Sequence, residues 1–463
     1  MNEPNWTSLL PPFVAIGLAL LTRQVYLALF AGVWLGYFLL GDVGVFASLA
    51  DAIEGSIGVM ASPGDARVIV FTLVIGAFIL TLERSGGVRG FVQWLERARW
   101  VNDGRRSQWM AYLIGIVIFI ESNITVLVAG TVARPLIDRF RVAREKLAYI
   151  IDSTSAPICI LIPLNAWGAF NLGLLDGLGV DSPVSVLLAT IPLNLYAITA
   201  VLLTAFVVAR NWNIGPMRAA EARAASGETG GLNITEPADL GDAPARAKNM
   251  ILPVVALIAA MPLGLYFTGN GDLFAGSGSK SVLWASLIGL LVVSALVLFQ
   301  RTMNLESLTN TWMEGAGRML PIAIILLLAL ALGSVAKTLG TGVYVAGLVG
   351  DAVPLWLLPV SFFLVSGVIA FSVGSSWGTF SIMMPIAIPV ATALNVDPTL
   401  FVAAVLSGGI FGDHASPISD TTIVSSLAAG THHMDHVSTQ LPYALIAGAI
   451  SAVGFVAVAL VML

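Results

Sequence analysis

Four acidic residues interrupt stretches of this chain that are otherwise strongly apolar. They are Glu121, Asp152, Asp413 and Asp420, and serines and threonines lie close to each of them in the sequence. Carboxylate, hydroxyl and main-chain carbonyl oxygens are the ligands of hard cations, and these stretches lack the His and Cys clusters that are typical of transition-metal sites. The pattern predicts that the four acids bind Na⁺ and H⁺. His414 either relays a proton to the neighbouring carboxylates or makes a structural hydrogen bond.

Hydroxyl and amide side chains beside these acids could complete the coordination shell of a cation. A carboxylate among such oxygens can hold Na⁺ or H⁺ but not both well, and this exclusion is sufficient to couple the two ions in opposite directions. Alternatively, Asp152 and Asp413 cap broken half-helices. The candidate ligands are Ser122, Asn123, Thr125, Ser153, Ser155, Ser375, Ser376, Thr379, Ser416, Ser419 and Thr421.

The composition places these residues in a membrane protein. Of the 463 residues, 57% are hydrophobic and only 11% are charged, which is well below the charged fraction of soluble domains. Such a chain has too little polar surface to face water on all sides. The net charge of −5 provides no basic surface for nucleic acid, and the single cysteine excludes an internal disulfide.

Basic residues indicate how the apolar runs cross the membrane. Arginines follow both run 66–82 and run 109–133, so both flanks of the second run should be cytoplasmic. Run 109–133 must therefore enter and return as a re-entrant hairpin that turns at its Ser-Asn-Ile-Thr stretch. Run 355–394 behaves likewise from the opposite side. Segments 42–62 and 302–318 are predicted to be interfacial amphipathic helices.

Sequence echoes indicate an internal duplication. Residues 152–158 resemble residues 413–418, and three weaker echoes occur in the same order in both halves. We predict an all-α polytopic protein with two inverted-topology repeats, residues 8–210 and 249–463. Each repeat has about five transmembrane helices and one re-entrant hairpin, with discontinuous helices at the midplane. Residues 211–248 form a polar cytoplasmic linker.

Two further groups of residues near the breaks have alternative interpretations. Asn165, Trp167 and Trp377 could line a pocket for an organic solute, although core packing is the commoner role of buried tryptophans. The histidines of segment 432–436 could sense pH, but a solvated loop is the favoured interpretation.

The stretch from Phe411 to Ile423, FGDHASPISDTTI, resembles the signature of the NhaC-type Na⁺/H⁺ antiporter family. The layout of two hairpins and two broken helices is similar to that of the ion transporter superfamily, in which Ser-Asn-Thr hairpin tips bind sodium. Residues 122–125 resemble such a tip with one inserted residue, whereas residues 375–379 depart further and lack the asparagine. The resemblance implies cation/proton exchange, although some relatives move organic solutes, including malate–lactate exchange and amino acid uptake.

The leading hypothesis is a Na⁺/H⁺ antiporter of the cell inner membrane that works by alternating access. Its expected partners are membrane lipid, the transported Na⁺ and H⁺ and, by family analogy, a second copy in a homodimer; no other cofactor is expected. The alternative is a Na⁺- or H⁺-coupled transporter of an amino acid or small carboxylate, although the site contains no Arg or Lys for a dicarboxylate. An enzyme or a channel fits less well, because the sequence shows no nucleophile–base pair and no pore ring.

Overall fold

The computed structural model describes residues 5–22, 24–41, 44–96, 102–119, 121–228, 243–272, 276–348 and 354–463. These residues form helices α1 to α22 with three short 3-10 helices, and they contain no strand. The helices before and within the predicted linker are α1 (Leu10–Thr22), α2 (Val25–Leu40), α3 (Val45–Gly58), α4 (Pro63–Arg84), α5 (Gly87–Glu96), α6 (Gly104–Val117), α7 (Ser122–Arg139), α8 (Arg144–Ser153), α9 (Ala156–Leu161), α10 (Ala166–Gly177), α11 (Pro183–Thr190), α12 (Leu195–Arg210) and α13 (Pro216–Ala225). The later helices are α14 (Lys248–Thr268), α15 (Gly278–Phe299), α16 (Leu305–Thr338), α17 (Thr341–Leu348), α18 (Leu357–Val373), α19 (Ser376–Ala393), α20 (Thr399–Ala415), α21 (Asp420–Ala429) and α22 (His433–Met462).

Six of these helices are long and apolar enough to cross a membrane by themselves: α4, α14, α15, α16, α19 and α22. The number of candidate spans in the described part of the chain rises to nine if three bent helix pairs each count as one. Helices suit this role because they satisfy their backbone hydrogen bonds internally. The predicted all-α polytopic fold is therefore confirmed. The inverted relation of the repeats and their boundaries, 8–210 and 249–463, stay predictions.

Helices α6 and α7 are the two arms of a hairpin at the first predicted re-entrant run. The open ends of the arms meet, because a Cβ atom placed on Gly104 would lie 2.9 Å from Cγ2 of Val142. Helices α18 and α19 form the second pair, which is joined at Gly374 and Ser375. Gly374 has a φ of +70°, a left-handed conformation that glycine adopts without strain, and so it ends α18 at a sharp turn.

Two other helices are interrupted, as the sequence predicts. Thr154 and Ser155 separate α8 from α9, and Pro157 follows in the first turn of α9. A second break, which includes Ser416 and Pro417, separates α20 from α21. Ser416 has extended backbone angles, φ −80° and ψ 133°, as expected for a residue before proline. Both breaks leave helix-terminal carbonyls without helical partners.

The predicted interfacial helix 302–318 is not a separate element. Helix α16 is continuous over 34 residues, about 50 Å, and includes both this segment and the span after it. In the first half, Ser62 caps a new helix that begins at Pro63, so that α3 and α4 are distinct. In α16, Leu320 precedes Pro321, and a leucine side chain has no oxygen that could accept a hydrogen bond at a helix N-terminus.

Helix α13 lies in the predicted linker 211–248, of which residues 229–242 are outside the described part. It packs against the start of α8, where the backbone N–H of Ala143 donates to Oε1 of Glu221 at 3.1 Å. The linker therefore contacts the N-terminal end of α8, and the C-terminal end of the same helix lies at the first break. Its cytoplasmic location stays a prediction.

Candidate functional site

Each of the two helix breaks places one aspartate in the protein interior. Asp152 is the penultimate residue of α8, and Asp413 lies two residues before the end of α20. Their exposed fractions are 1% and 2%. The last carbonyls of a helix carry partial negative charge, so each carboxylate lies at the unfavourable end of its half-helix dipole. The alternative that these aspartates cap helix N-termini is therefore wrong.

Asp413 contacts the tip of the second hairpin. The hydroxyl of Ser376 donates to Oδ2 of Asp413 at 2.9 Å, whereas Oδ1 has no hydrogen-bond partner among the described residues. Ser375 caps α19 by accepting from the N–H of Gly378 at 3.2 Å, and the hydroxyl of Thr379 donates to the carbonyl of Ser375 at 2.9 Å. Ser376 thus touches the acid, and Ser375 and Thr379 shape the tip.

Asp152 is held by residues of the second half. Its Oδ2 accepts from Oγ1 of Thr422 at 3.2 Å and from Nε2 of Gln440 at 2.7 Å. Nε2 of His436 is 3.8 Å from the same oxygen. Oδ1 of Asp152, like that of Asp413, has no partner in the described part of the chain. Each break therefore contains a buried carboxylate with one unpartnered oxygen.

His414, in the second break, contacts the first break through one ring nitrogen and helix α12 through the other. Nε2 is 3.0 Å from the hydroxyl of Ser153, and Nδ1 is 2.7 Å from the hydroxyl of Tyr196. The ring is 3% exposed. Because both partners are hydroxyls, this geometry favours a structural hydrogen bond over direct proton transfer to a carboxylate.

Glu121 caps helix α7 at the tip of the first hairpin. Its Oε2 accepts from the backbone N–H of Ile124 at 2.8 Å, and its Oε1 accepts from the amide of Asn123 at 3.2 Å and lies 3.4 Å from the hydroxyl of Ser122. The hydroxyl of Thr125 donates to the carbonyl of Glu121 at 2.8 Å. A carboxylate at a helix N-terminus is stabilised by the helix dipole. This acid, and not the two buried aspartates, therefore has the capping role.

The remaining predicted ligands hold the breaks in shape. The hydroxyl of Ser155 donates at 2.9 Å to the carbonyl three residues earlier, and that of Ser416 donates at 2.7 Å to the carbonyl of Phe371 in the second hairpin. The hydroxyls of Ser419 and Thr421 are 3.0 Å apart at the start of α21. The first two contacts hold the backbone of the breaks and of the adjoining hairpin, whereas the third joins two side chains at the start of α21.

An open cavity of about 280 Å³ lies against the two hairpin tips. Glu121 and the exposed Asp420 line it, together with Trp167 and Trp377, whose ring centroids are 4.9 Å apart and whose planes are tilted by 49° to each other. The other lining residues are Gly76, Ile79, Leu80, Glu83, Ser122, Asn123, Gly315, Arg318, Met319, Ile322 and Thr421. The cavity is larger than a bare cation requires, and it combines carboxylates with aromatic rings.

A basic residue reaches this cavity. Arg318 of α16 has its guanidinium 3.7 Å from a carboxylate oxygen of Glu83 in α4 and 3.0 Å from one of Glu314. The expectation that the site contains no arginine or lysine is therefore wrong. The physical reason is the continuity of α16, which brings Arg318 from the segment predicted to be interfacial to the cavity wall.

Asn165 lies outside the cavity, unlike the two tryptophans with which it was grouped. Its amide nitrogen is 2.8 Å from the carbonyls of Phe119 and Cys159 and 2.9 Å from that of Ile162. Its oxygen caps α10 by accepting from the N–H of Gly168 at 3.1 Å. Asn165 therefore ties the first hairpin tip to the turn before α10.

Two residues that contact the candidate site were missed from the sequence, Tyr196 and Gln440, and a third, His436, was considered only as a pH sensor or part of a solvated loop. The predicted solvated loop at 432–436 is wrong, because α22 begins at His433 and His436 is fully buried. The spacing of His436 and Gln440 is a signal that could have found them, since polar residues four apart share one face of an apolar helix. Tyr196 has no comparable signal in the sequence.

A bundle of apolar helices with buried carboxylates at two helix breaks is typical of secondary membrane transporters. The chain belongs to the Na⁺/H⁺ antiporter family, which it matches over residues 177–460. This match confirms the resemblance to NhaC-type antiporters that the stretch beginning at Phe411 indicated.

The chain is also similar to individual proteins. An uncharacterized protein of Haemophilus influenzae is 32% identical and is covered over 97% of this chain and 90% of its own length. The arginine/ornithine antiporter ArcD of Halobacterium salinarum is 36% identical over 88 residues, which are 19% of this chain and 18% of ArcD. The crystal structure of the YdaH transporter of Alcanivorax borkumensis has the same fold, with a TM-score of 0.60 and 15% identity over 89% of this chain and 88% of YdaH.

Proposed function

We propose that this protein exchanges Na⁺ for H⁺ across the cell membrane by alternating access, and that Asp152 and Asp413 carry the exchangeable ions. One observation carries the proposal: each helix break holds a buried carboxylate with an oxygen that lacks a partner among the described residues. A buried anion at the negative end of a helix requires a positive partner, because neither water nor the dipole compensates its charge.

A transported cation or a proton can provide this compensation in turn. A basic group that the structure places near Asp152 is His436, whose Nε2 is 3.8 Å from Oδ2. The carboxylate oxygens, the hydroxyls of Ser376 and Thr422 and the terminal carbonyls of the half-helices form an oxygen-rich set that suits Na⁺. Na⁺ and H⁺ would neutralise the same carboxylates alternately, so that one ion enters as the other leaves.

The cavity is the proposed route to these carboxylates. Asp420 lines it at the first turn of α21, so this carboxylate would meet an entering cation first. Glu121 already has donors from α7 and would shape the hairpin tip. Arg84 follows Glu83, a residue of the cavity wall. Because basic residues are in excess on cytoplasmic surfaces, we propose that the cavity opens toward the cytoplasm and that linker 211–248 lies on the same side.

A second candidate function is coupled transport of an organic solute. The size of the cavity, its tryptophan pair and Arg318 favour it, because an arginine can hold a carboxylate while Asp420 or Glu121 holds an amine. The similarity to the arginine/ornithine antiporter ArcD supports the same candidate. In this case the ions at Asp152 and Asp413 would drive movement of the solute.

Proton flux in proteoliposomes tests the proposal. A preformed pH gradient should collapse when Na⁺ is added to wild-type protein, and Asp152→Asn or Asp413→Asn should abolish the collapse. Asp435→Asn, an exposed residue in the first turn of α22, is the matched control and should retain it. Wild-type exchange in either buried variant would exclude that carboxylate. Adding single amino acids under a fixed Na⁺ gradient separates the second candidate, since saturable Na⁺-dependent uptake of one of them would exclude simple ion exchange.

A further inference from the structure

The side chain of Gln440 connects the two helix breaks. Its Nε2 donates to Oδ2 of Asp152 at 2.7 Å and to the carbonyl of His414 at 2.6 Å. Asp152 belongs to the first break and His414 to the second. Gln440 itself lies on α22 and is 1% exposed. One carboxamide therefore holds an acid of one half against the backbone of the other.

The orientation of this carboxamide is fixed at its other end as well. Oε1 of Gln440 is 2.8 Å from Nε2 of His436, one helical turn earlier. The second ring nitrogen of His436 is 2.9 Å from the hydroxyl of Ser426. Both amide hydrogens and the amide oxygen of Gln440 are thus engaged, and rotation of the amide by half a turn would break all three contacts.

The contact leaves Asp152 oriented but not neutralised. A neutral amide occupies Oδ2, while Oδ1 keeps no partner among the described residues. A lysine or arginine at position 440 would make an ion pair with the same carboxylate and provide the positive charge permanently. A glutamine supplies the hydrogen bond without the charge, and so a mobile cation can still complete the site.

We infer that Gln440 is a positioning residue of the exchange site: it aims the free oxygen of Asp152 at the transported cation and couples that acid to the second break. This inference rests on the proposed Na⁺/H⁺ exchange. The ligands predicted from the sequence all belong to the hairpin tips and the breaks. The role of Gln440 adds α22 to the helices that take part in cation binding.

Three variants test the inference. Gln440→Met removes the hydrogen bonds with little change of shape and should raise the half-saturating Na⁺ concentration about tenfold or more at a fixed pH, the size expected for a lost hydrogen bond to a charged group. Gln440→Lys should remain folded and lose both Na⁺-dependent proton flux and the rise in melting temperature that Na⁺ binding gives. Gln108→Met is the matched control. Gln108 is also a buried glutamine, but its amide donates to the carbonyl of Gly104 within α6.

The outcomes separate the inference from the function on which it rests. An unchanged or lower half-saturating Na⁺ concentration in Gln440→Met, with an active wild type, overturns the role of Gln440 alone. The same holds if Gln108→Met raises that concentration equally, since any buried glutamine would then suffice. A wild type that shows neither Na⁺-driven proton flux nor a thermal shift with Na⁺ overturns the proposed exchange and this inference together. If Gln440→Lys does not fold, Gln440→Met decides.

Discussion

The backbones of Gly76 in α4 and Gly315 in α16 are in contact. A Cβ atom on Gly76 would lie 2.3 Å from the carbonyl oxygen of Gly315, and one on Gly315 would lie 2.4 Å from that of Gly76. The two helices belong to different halves of the chain, and small residues allow helices in lipid to approach this closely. Both glycines also line the cavity, so their contact sets the position of its wall.

Gly315→Ala should lower the melting temperature of the purified protein. The added methyl group cannot fit against Gly76 unless the helices separate, and overpacking of this kind costs about 1–3 kcal/mol. Thermal unfolding in detergent measures the effect. Gly317→Ala is the control on the same helix, because a Cβ there meets nothing within 4 Å. It should equal or exceed the wild type, since alanine favours a helix over glycine. Equal losses in both variants would show that the contact is not responsible.

The sequence predicted those parts of the site that have a local signal. Acids, prolines and clustered serines inside apolar runs located both breaks and both hairpin tips. Such residues are costly in lipid and are found in spans where they face the protein interior or a cavity. The contacts between halves have no such signal. Gln440 meets Asp152 across 288 positions of sequence, and Arg318 reaches the cavity only because α16 is continuous. A single polar residue on an apolar span does not reveal what it faces.

The cavity should be reachable from one side of the membrane, and cysteine labelling can show which. The single native cysteine, Cys159, is fully buried and should not react in the folded protein. Asn123→Cys, at the cavity wall, should react with a membrane-impermeant maleimide in inside-out vesicles and not in right-side-out vesicles. Ser155→Cys, fully buried at the first break, is the control and should react in neither. Labelling of Asn123→Cys from the outside alone would reverse the proposed orientation.

Ser376→Ala should weaken Na⁺ binding, because its hydroxyl donates to Oδ2 of Asp413. The expected change is about a tenfold rise in the half-saturating Na⁺ concentration of proton flux. Ser381→Ala removes another fully buried hydroxyl of α19, one that donates at 3.0 Å to the carbonyl of Trp377 in the same helix. That variant should behave as the wild type does. If the two variants shift the concentration by the same amount, the second hairpin tip acts through general packing and not through Asp413.

The docking of α13 should depend on pH through Glu221. Burial raises the pKa of Glu221 above its ordinary value of 4.5, and this effect exceeds the opposing attraction of Lys146, whose Nζ is 3.9 Å away. The folded protein therefore favours the protonated form of Glu221. The stability that this form contributes is present below pH 4.5 and is lost as the pH rises through the pKa of Glu221 in the folded state. Glu221→Gln mimics the protonated form. Its melting temperature should match the wild type near pH 4, exceed it increasingly as the pH rises, and keep a constant advantage above the pKa of Glu221 in the folded state. A difference between the two proteins that stays constant over the whole pH range would show that the charge of Glu221 does not oppose docking.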